Sequence, residues 1–353
     1  MKYRNLLSKA VAVISIFTLL LSCFSACTQN KQREKTYFAL SDAVTLKIIS
    51  DDTEKTEEIF SQAASMLQEC EMSLSSTNEN SELYKLNTEK KVYASEFLEK
   101  IISDSVLMSD ILGKSVDISI GEITSLWGFS TDSPAVPDKV DIQNALSAMG
   151  TDKIVFSEEN NKITLPADVS VDLGAVDNGA VCDRIYESIK LYSKPFIMTF
   201  GGSVLAYGTG PSAGKWKIGL KNPVKGDSSE FATLTLSPDA DLNTVCLSTS
   251  SVADKSFTQD GVKYHHILSP ATGYPVETEL VSVTVTASTA FIADILSTAC
   301  FIAGLSEEAI KFLSYFSAEA VFVFSDSTCF VTDGLRDSIK ITDKSISLTD
   351  YDY

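Results

Sequence analysis

Two kinds of apolar spacing alternate along the chain, and the switches between them mark its elements. "TYFALSDAVTLKIIS" (36–50) alternates apolar with polar positions, the period-two mark of a strand. In "TEKTEEIFSQAASMLQECEMSLSS" (53–76), Ile59, Ala63, Met66, Leu67 and Cys70 recur at helical spacing. "TNENSELYKLN" reads as a polar connection, and "SEFLEKIISDSVLMSDILG" as a second helix with Phe97, Ile101, Ile102, Val106 and Ile111 inside. After "KSVDISIGEITSLWGFS" and a proline-bearing loop, "TDSPAVPDKV", the helix "VDIQNALSAMG" leads to a hairpin turned at Asn160-Asn161. "SVDLGAVDNGAVCD" (170–183) predicts a short strand through Val169, Val171 and Leu173, then a turn containing Gly174 and Gly179. A helix carrying Ile185, Ile189 and Leu191 follows it. Residues 196–208 and 215–223 read as strands, and 231–287 are strand-rich. "STAFIADILSTACFIAG" predicts a buried helix capped by Ser288, and "SEEAIKFLSYF" one capped by Ser306. Strands "EAVFVFSD" and "TCFVTD" close the pattern. The irregular alternation implies α+β with mixed or antiparallel sheets rather than a doubly wound fold.

The first residues follow a different logic. Lys2, Arg4 and Lys9 precede an apolar run from about Ala10 to Leu21, too short for a confident membrane span and typical of a secretory signal. The small residues Ser25 and Ala26 stand directly before Cys27. That pattern resembles a bacterial lipobox, in which the cysteine takes the lipid; Cys23 is a second, weaker position, and a plain secreted protein is the alternative. The division expected is a signal over 1–27, a polar tether over 28–36, one domain over 37–345 and a tail over 346–353. The remaining cysteines, Cys70, Cys182, Cys246, Cys300 and Cys329, form no CxxC pair and sit among apolar neighbours, as buried small hydrophobes do. A net charge of −18 without Lys/Arg clusters argues against a nucleic-acid partner.

Candidate chemistry is thin at any one place. Asp294 and Thr298 lie four apart on an otherwise apolar helix, so their oxygens share a face. A carboxylate there needs a hard cation, a basic partner or exposure. His265 and His266, the only histidines, precede a Pro-Ala-Thr-Gly turn suited to a phosphate or sugar, or to a plain half-buried histidine. Gly201 and Gly202 follow an apolar strand, where glycine permits close approach of a ligand, yet no GxGxxG is formed. "LSTSSVAD" offers serines without a GxSxG elbow. Asp172, Asp177 and Asp183 gather at the 170–183 turn, which alone is compatible with a phosphate cradle, a metal site or a plain connection.

The order of these segments is more specific than any one of them. "FALSDAVTLKI", "LSSTNENSELYKLN", "VDISIGEITSLWGF", "VDLGAVDNGAVCD", "FGGSVLAYG", "LSTSS", "HHILSPATGYPV" and "SVTVTASTAFIADILSTACFIAG" run in series over about residues 37 to 330. In that order they resemble the ApbE family, the FAD:protein FMN transferases, many of them exported lipoproteins. The resemblance implies an ApbE-like fold with helices flanking the sheets and an FAD cleft between two lobes. It also implies a magnesium-dependent transfer of FMN from FAD to a Thr or Ser hydroxyl of an acceptor protein, with release of AMP. By the same resemblance Asp294, Thr298 and the main-chain carbonyl of Ala175 hold magnesium, and Asp172 and Asn178 contact the nucleotide. Ser115, Val116 and Asp117 line the cleft, Leu40 lies against the flavin or adenine, and His266 and Leu268 flank the FAD, with His266 and Asp294 as the catalytic pair.

The chain departs from the family's pattern at the same turn. Ala175 stands for a glycine, Asp177 for a small residue and Asn178 for a frequent lysine; Ser269 replaces an aspartate, Ser251 a glycine and Thr77 an aromatic. A carboxylate gained and a cation lost beside a pyrophosphate weaken binding. Two alternatives therefore stand beside transfer: a flavin-binding lipoprotein without transfer activity, and an FAD pyrophosphatase giving FMN and AMP. The expected location is the outer face of a bacterial cell membrane, held by lipid on Cys27.

Overall fold

A computed structural model of the protein describes residues 31–157, 160–225 and 229–350. The signal and Cys27 lie outside the described residues. Hairpin β1 (Gln32–Ala39) and β2 (Asp42–Ile49) leads into α1 (Thr53–Leu74), α2 (Glu82–Glu89), β3 (Lys91–Tyr93), α3 (Glu96–Ile111), α4 (Gly121–Trp127) and α5 (Lys139–Ala148). Then come β4 (Val155–Phe156), β5 (Lys162–Thr164), α6 (Asp177–Ile189), β6 (Phe196–Phe200), β7 (Ser203–Tyr207), β8 (Trp216–Lys221), β9 (Glu230–Leu236) and β10 (Thr244–Ser251). The chain continues through β11 (Ser256–Gln259), β12 (Val262–His265), β13 (Leu280–Ala287), α7 (Ala290–Ala303), α8 (Glu307–Tyr315) and β14 (Glu319–Phe324). It ends with β15 (Thr328–Val331), α9 (Asp333–Arg336), β16 (Ile339–Ile341) and β17 (Ser347–Leu348). The α+β expectation is met.

A nine-stranded sheet, ordered β1-β2-β6-β7-β10-β13-β14-β15-β17, forms the frame. Its pairings are antiparallel except for β15 with β17. Strand β10 shows how the layers arise. Successive side chains of a strand face opposite ways, so Val245 and Leu247 pack with Trp216, Ile218, Phe231 and Leu234 of the small sheet β16-β9-β8. Cys246 points to the other face and joins Val181, Cys182, Ile185, Ile295 and Leu296 of α6 and α7. The main sheet is thus buried on both sides, by helices and by three strands. A third apolar centre gathers around the buried Trp127, where Phe129, Phe257, Tyr264 and Tyr274 pack with ring centroids 5.4–6.3 Å from the indole.

Several expected boundaries move. Strand β1 begins at Gln32, inside the stretch expected as tether, because Gln32 to Ala39 pair with Ile49 to Asp42. The expected polar connection contains α2, capped by the Ser81 hydroxyl and burying Leu83 and Leu86. The inner face of α3 is centred on Leu98, Ile101, Ile102, Ser105 and Met108 rather than on Phe97 and Ile111. Residues 169–173 form only a single bridge, Ile120 to Ser170. Gly179 lies inside α6, and the cap of α7 is Thr289, one residue after Ser288. The expected tail enters the fold: Ile346 is buried, and Ser347 and Leu348 pair with β15. The hairpin at Asn160-Asn161 and the Ser306 cap stand as read.

Candidate functional site

Helices α6 and α7 cross closely at Gly179. A Cβ built there would lie 2.3 Å from the Ala290 carbonyl oxygen and 2.8 Å from the Asp294 Cβ, so only glycine permits the approach. The approach delivers the Gly179 N–H to Asp294 Oδ2 at 2.9 Å. Gly179 lies in the first turn of α6, where a helix leaves its N–H without an intrahelical acceptor, and the Asp294 carboxylate supplies one. Ala175, immediately before the cap of α6, is half-buried.

The other oxygen of Asp294 is held from the sheet. Parity sends Ser248 and Ser250 of β10 to the helix face together with Cys246. Ser248 donates to Asp294 Oδ1 at 2.7 Å, and its cross-strand partner Ser203 donates to Ser248 at 3.0 Å. One turn later, the Thr298 hydroxyl meets Ser250 at 2.9 Å, which also meets Ser297 at 2.8 Å. Asp294 is therefore a buried carboxylate held by neutral donors, and among the described residues it forms no ion pair. Burial pushes it up to about 6, against the hydrogen bonds from Ser248, Gly179 and Ser203 that favour the ionised form.

Around this centre the turn brings further charge. Burial pushes the Asp177 carboxyl up to about 8, and the nearby Asp294 and Asp172 carboxylates add to it; the Asn178 amide and the Lys255 ammonium pull the other way. Asp172 accepts from the Thr124 hydroxyl at 2.7 Å and the Gly174 amide at 2.8 Å, tying the turn to α4. Asp183, the third carboxylate of the turn, is structural: it accepts the Ala290 and Phe291 amides at 3.0 and 2.9 Å and caps α7 from α6. His266 Nδ1 lies 3.2 Å from the Lys255 carbonyl, and a carbonyl can only accept, so Nδ1 carries the proton and Nε2 the lone pair. Burial first, then the Lys255 charge, pulls His266 down to about 4, opposed by its bond to the Lys255 carbonyl and by Asp172.

The donor set fits a hard divalent cation. The Asp294 carboxylate, the Thr298 hydroxyl and the main-chain carbonyl of Ala175 are all oxygen donors. Among the described residues no trio of His, Cys, Asp or Glu converges as a metal cage.

The remaining expected residues are less uniform. Asn178 meets the β6–β7 turn: a Cβ at Gly201, which has φ +53°, would fall 2.5 Å from its Nδ2 and 3.2 Å from Asp42 Oδ2. The two glycines of that turn thus accommodate the chain's own side chains and the Thr249 carbonyl. Leu40 sits at the β1–β2 tip with φ +48°, its N–H held by Glu71 at 2.6 Å. Ser115 closes α3, Val116 is buried in the main core, and Asp117 accepts from the Ser119 amide at 2.8 Å. That turn abuts the site through Ile118, whose carbonyl accepts the Asp172 N–H at 2.7 Å. Leu268 is buried in the Trp127 cluster. Ser203 was not singled out from the sequence, and Ser248 and Ser250 stood there only as serines of "LSTSSVAD" without a GxSxG elbow; the alternation of "VCLSTSS" was the signal that puts these two on one face.

The chain is similar to known proteins at the level of family, sequence and fold. The model of the ApbE family matches residues 41–322. The FAD:protein FMN transferase of Treponema pallidum (strain Nichols) is 27% identical over 305 residues, spanning 81% of this chain and 82% of the relative. The FAD:protein FMN transferase of Haemophilus influenzae is 25% identical over 308 residues, with 84% and 86% covered. The crystal structure of the ApbE protein from Thermotoga maritima superposes with a TM-score of 0.79 at 25% identity, over 87% of this chain and 99% of that one.

Proposed function

The chain belongs to the ApbE family, and we propose that it is an enzyme of flavin transfer that moves FMN from FAD to a Thr or Ser hydroxyl of an acceptor protein. The observation that carries this reading is the buried Asp294 carboxylate, held by Gly179 and Ser248 without a cation of its own. Asp294, Thr298 and the Ala175 carbonyl would hold magnesium, which when bound offsets charge on the pyrophosphate. Asp172 and Asn178, at the mouth of the turn, orient the nucleotide. His266 is neutral at physiological pH and accepts the acceptor hydroxyl's proton at Nε2. The hydroxyl oxygen bonds the FMN phosphorus, the bond from that phosphorus to the bridging oxygen breaks, and AMP leaves with it.

A second reading is favoured by one feature. Asp177, beside Asp294 and Asp172, adds a third carboxylate where a pyrophosphate must lie, and Asn178 supplies no cation. Such a site could retain FAD without transferring it, or hydrolyse FAD to FMN and AMP. Incubating residues 31–353 with FAD, magnesium and an acceptor protein separates the three. A covalent flavin mass shift with AMP is expected. FMN and AMP without an adduct indicate hydrolysis, and intact bound FAD indicates a binder. Asp294→Ala should reduce AMP release to background; unchanged release would remove Asp294 from the metal site.

The leader pattern supports a lipid anchor on Cys27 outside the bacterial cell membrane, placing the domain among exported or membrane redox subunits. Cys27→Ala should move the protein from the membrane fraction to the soluble one. Retention in the membrane would point to Cys23 or to another mode of attachment.

A further inference from the structure

We propose that Asn87 is a positioning residue of the nucleotide site: its side-chain amide stands in for a missing neighbouring strand beside Val171 and fixes Asp172 at the mouth of the turn. The role rests on the flavin-transfer reading and deepens it by naming what keeps that turn in place. Residues 169–173 carry Asp172 into the site as extended chain that no strand borders. Among the described residues their one bridge is Ile120 to Ser170. On that edge the turn entering α4 serves as partner: Gly121 N–H donates to the Ser170 carbonyl at 3.0 Å, and Asp172 N–H to the Ile118 carbonyl at 2.7 Å. Gly121 permits the approach, since a Cβ there would lie 2.6 Å from the Ser170 carbonyl oxygen. Backbone groups of successive extended residues point to opposite edges, so the N–H and C=O of Val171 face the other way. Val171 is buried, and unpaired backbone groups there would be costly.

Asn87 meets both groups. Its Nδ2 donates to the Val171 carbonyl at 2.8 Å, and its Oδ1 accepts the Val171 N–H at 2.7 Å. A backbone N–H only donates and a carbonyl only accepts, so the amide has a single orientation. It offers a donor and an acceptor side by side, as the edge of a neighbouring strand does. The contact reaches across 84 residues of chain from α2, a short helix anchored by its buried Leu83 and Leu86. Just past that helix Lys90 takes φ +58°, and its ammonium donates to the Val169 carbonyl at 2.9 Å and to the Ser170 hydroxyl at 3.0 Å. The end of α2 therefore grips three consecutive residues directly before Asp172. Beyond Asp172, the Leu173 carbonyl accepts the Val176 and Asp177 N–H groups at 2.8 and 2.9 Å and starts α6. A displacement at Val171 thus passes along the chain to Asp172 and to the Ala175 carbonyl.

The test is FAD binding by residues 31–353 with magnesium and without an acceptor, read by flavin fluorescence. Asn87→Ala should raise the Kd for FAD about 10- to 100-fold, the range of a lost hydrogen bond to a charged group. In an Asp172→Ala background the same change should add less than about twofold, because residues that act through one group are not additive. Asn87→Asp has the same shape without the donor and should also raise the Kd. It keeps the Val171 N–H bonded, so it carries the test where Asn87→Ala does not fold. Asn87→Gln, which retains the amide, should recover part of the affinity. Wild-type affinity for FAD in folded Asn87→Ala or Asn87→Asp, with only the melting temperature lowered, would overturn the assignment as the mark of a purely structural bond. Full additivity with Asp172→Ala would overturn it too. A wild-type domain that binds no FAD removes this role together with the flavin-transfer reading, whereas failure of the variant series alone removes only Asn87.

Discussion

Two side chains of this site derive their properties from what surrounds them rather than from their own type. Asp294 is buried without a cation, and its two oxygens are fixed by an amide and a hydroxyl of neighbouring elements. Ser248 therefore acts as a positioning residue, and Ser203 steadies it. Removing such a supporting group typically costs about 10- to 100-fold in metal affinity. Ser248→Ala should weaken magnesium binding in that range, measured by calorimetric titration, while Ser248→Thr recovers part of it; an unchanged titration would show that Asp294 holds its rotamer unaided. His266 makes a pH prediction. Its folded-state value lies near 4, below the ordinary 6.5, so below about pH 6.5 the unfolded chain binds the proton first. Its contribution to stability is complete above about 6.5 and is lost as pH falls toward 4. Melts of the ligand-free domain between pH 7 and 4 should show a smaller loss in His266→Gln than in wild type, and parallel loss in both proteins would contradict the assignment.

At the scale of elements, the crossing of α6 over α7 is the feature on which the site depends, and one hydrogen atom at Gly179 allows it. Gly179→Ala would force a Cβ to within 2.3 Å of the Ala290 carbonyl oxygen, which is backbone and cannot rotate away. Overpacking of this kind costs about 1–3 kcal/mol, readable in urea unfolding, and it should also cost magnesium affinity, because Asp294 moves with α7. A surface cap makes the contrast: Ser306→Ala, at the start of α8, should cost about 1 kcal/mol and leave magnesium binding unchanged. Much of this was legible in the sequence. The i, i+4 spacing of Asp294 and Thr298 put both on one face, and the structure gives that face a serine-lined strand. The place of Gly179 was not legible, because a glycine near a turn usually marks the turn itself, and here its reason lies 111 residues away at Ala290. Short-range spacing encodes which face a residue takes; which element covers that face is a long-range fact.

For the molecule as a whole, the two covered faces of the main sheet divide the labour. The helix-covered face holds the site, on β7, β10, α6 and α7, while the far edge of the sheet, through β14, β15 and β17, serves stability. The last strand shows why the chain's end matters. Ile346 is only 3% exposed and packs in the layer between the two sheets. Ser347 N–H donates to the Ser327 carbonyl at 3.1 Å and Thr349 N–H to the Cys329 carbonyl at 2.9 Å, while Arg336 holds Asp350 at 3.1 Å. Ending the chain after Lys344 removes these together and exposes the edge of β15. Loss of a buried isoleucine side chain alone costs about 2–5 kcal/mol; the exposed ion pair adds little. The truncated domain should therefore unfold at clearly lower urea concentration than residues 31–353, yet bind FAD with wild-type affinity at a temperature where it is still folded. Lost affinity in the folded truncation would mean that the far edge and the site communicate through the sheet, and that the division of labour between its two faces does not hold.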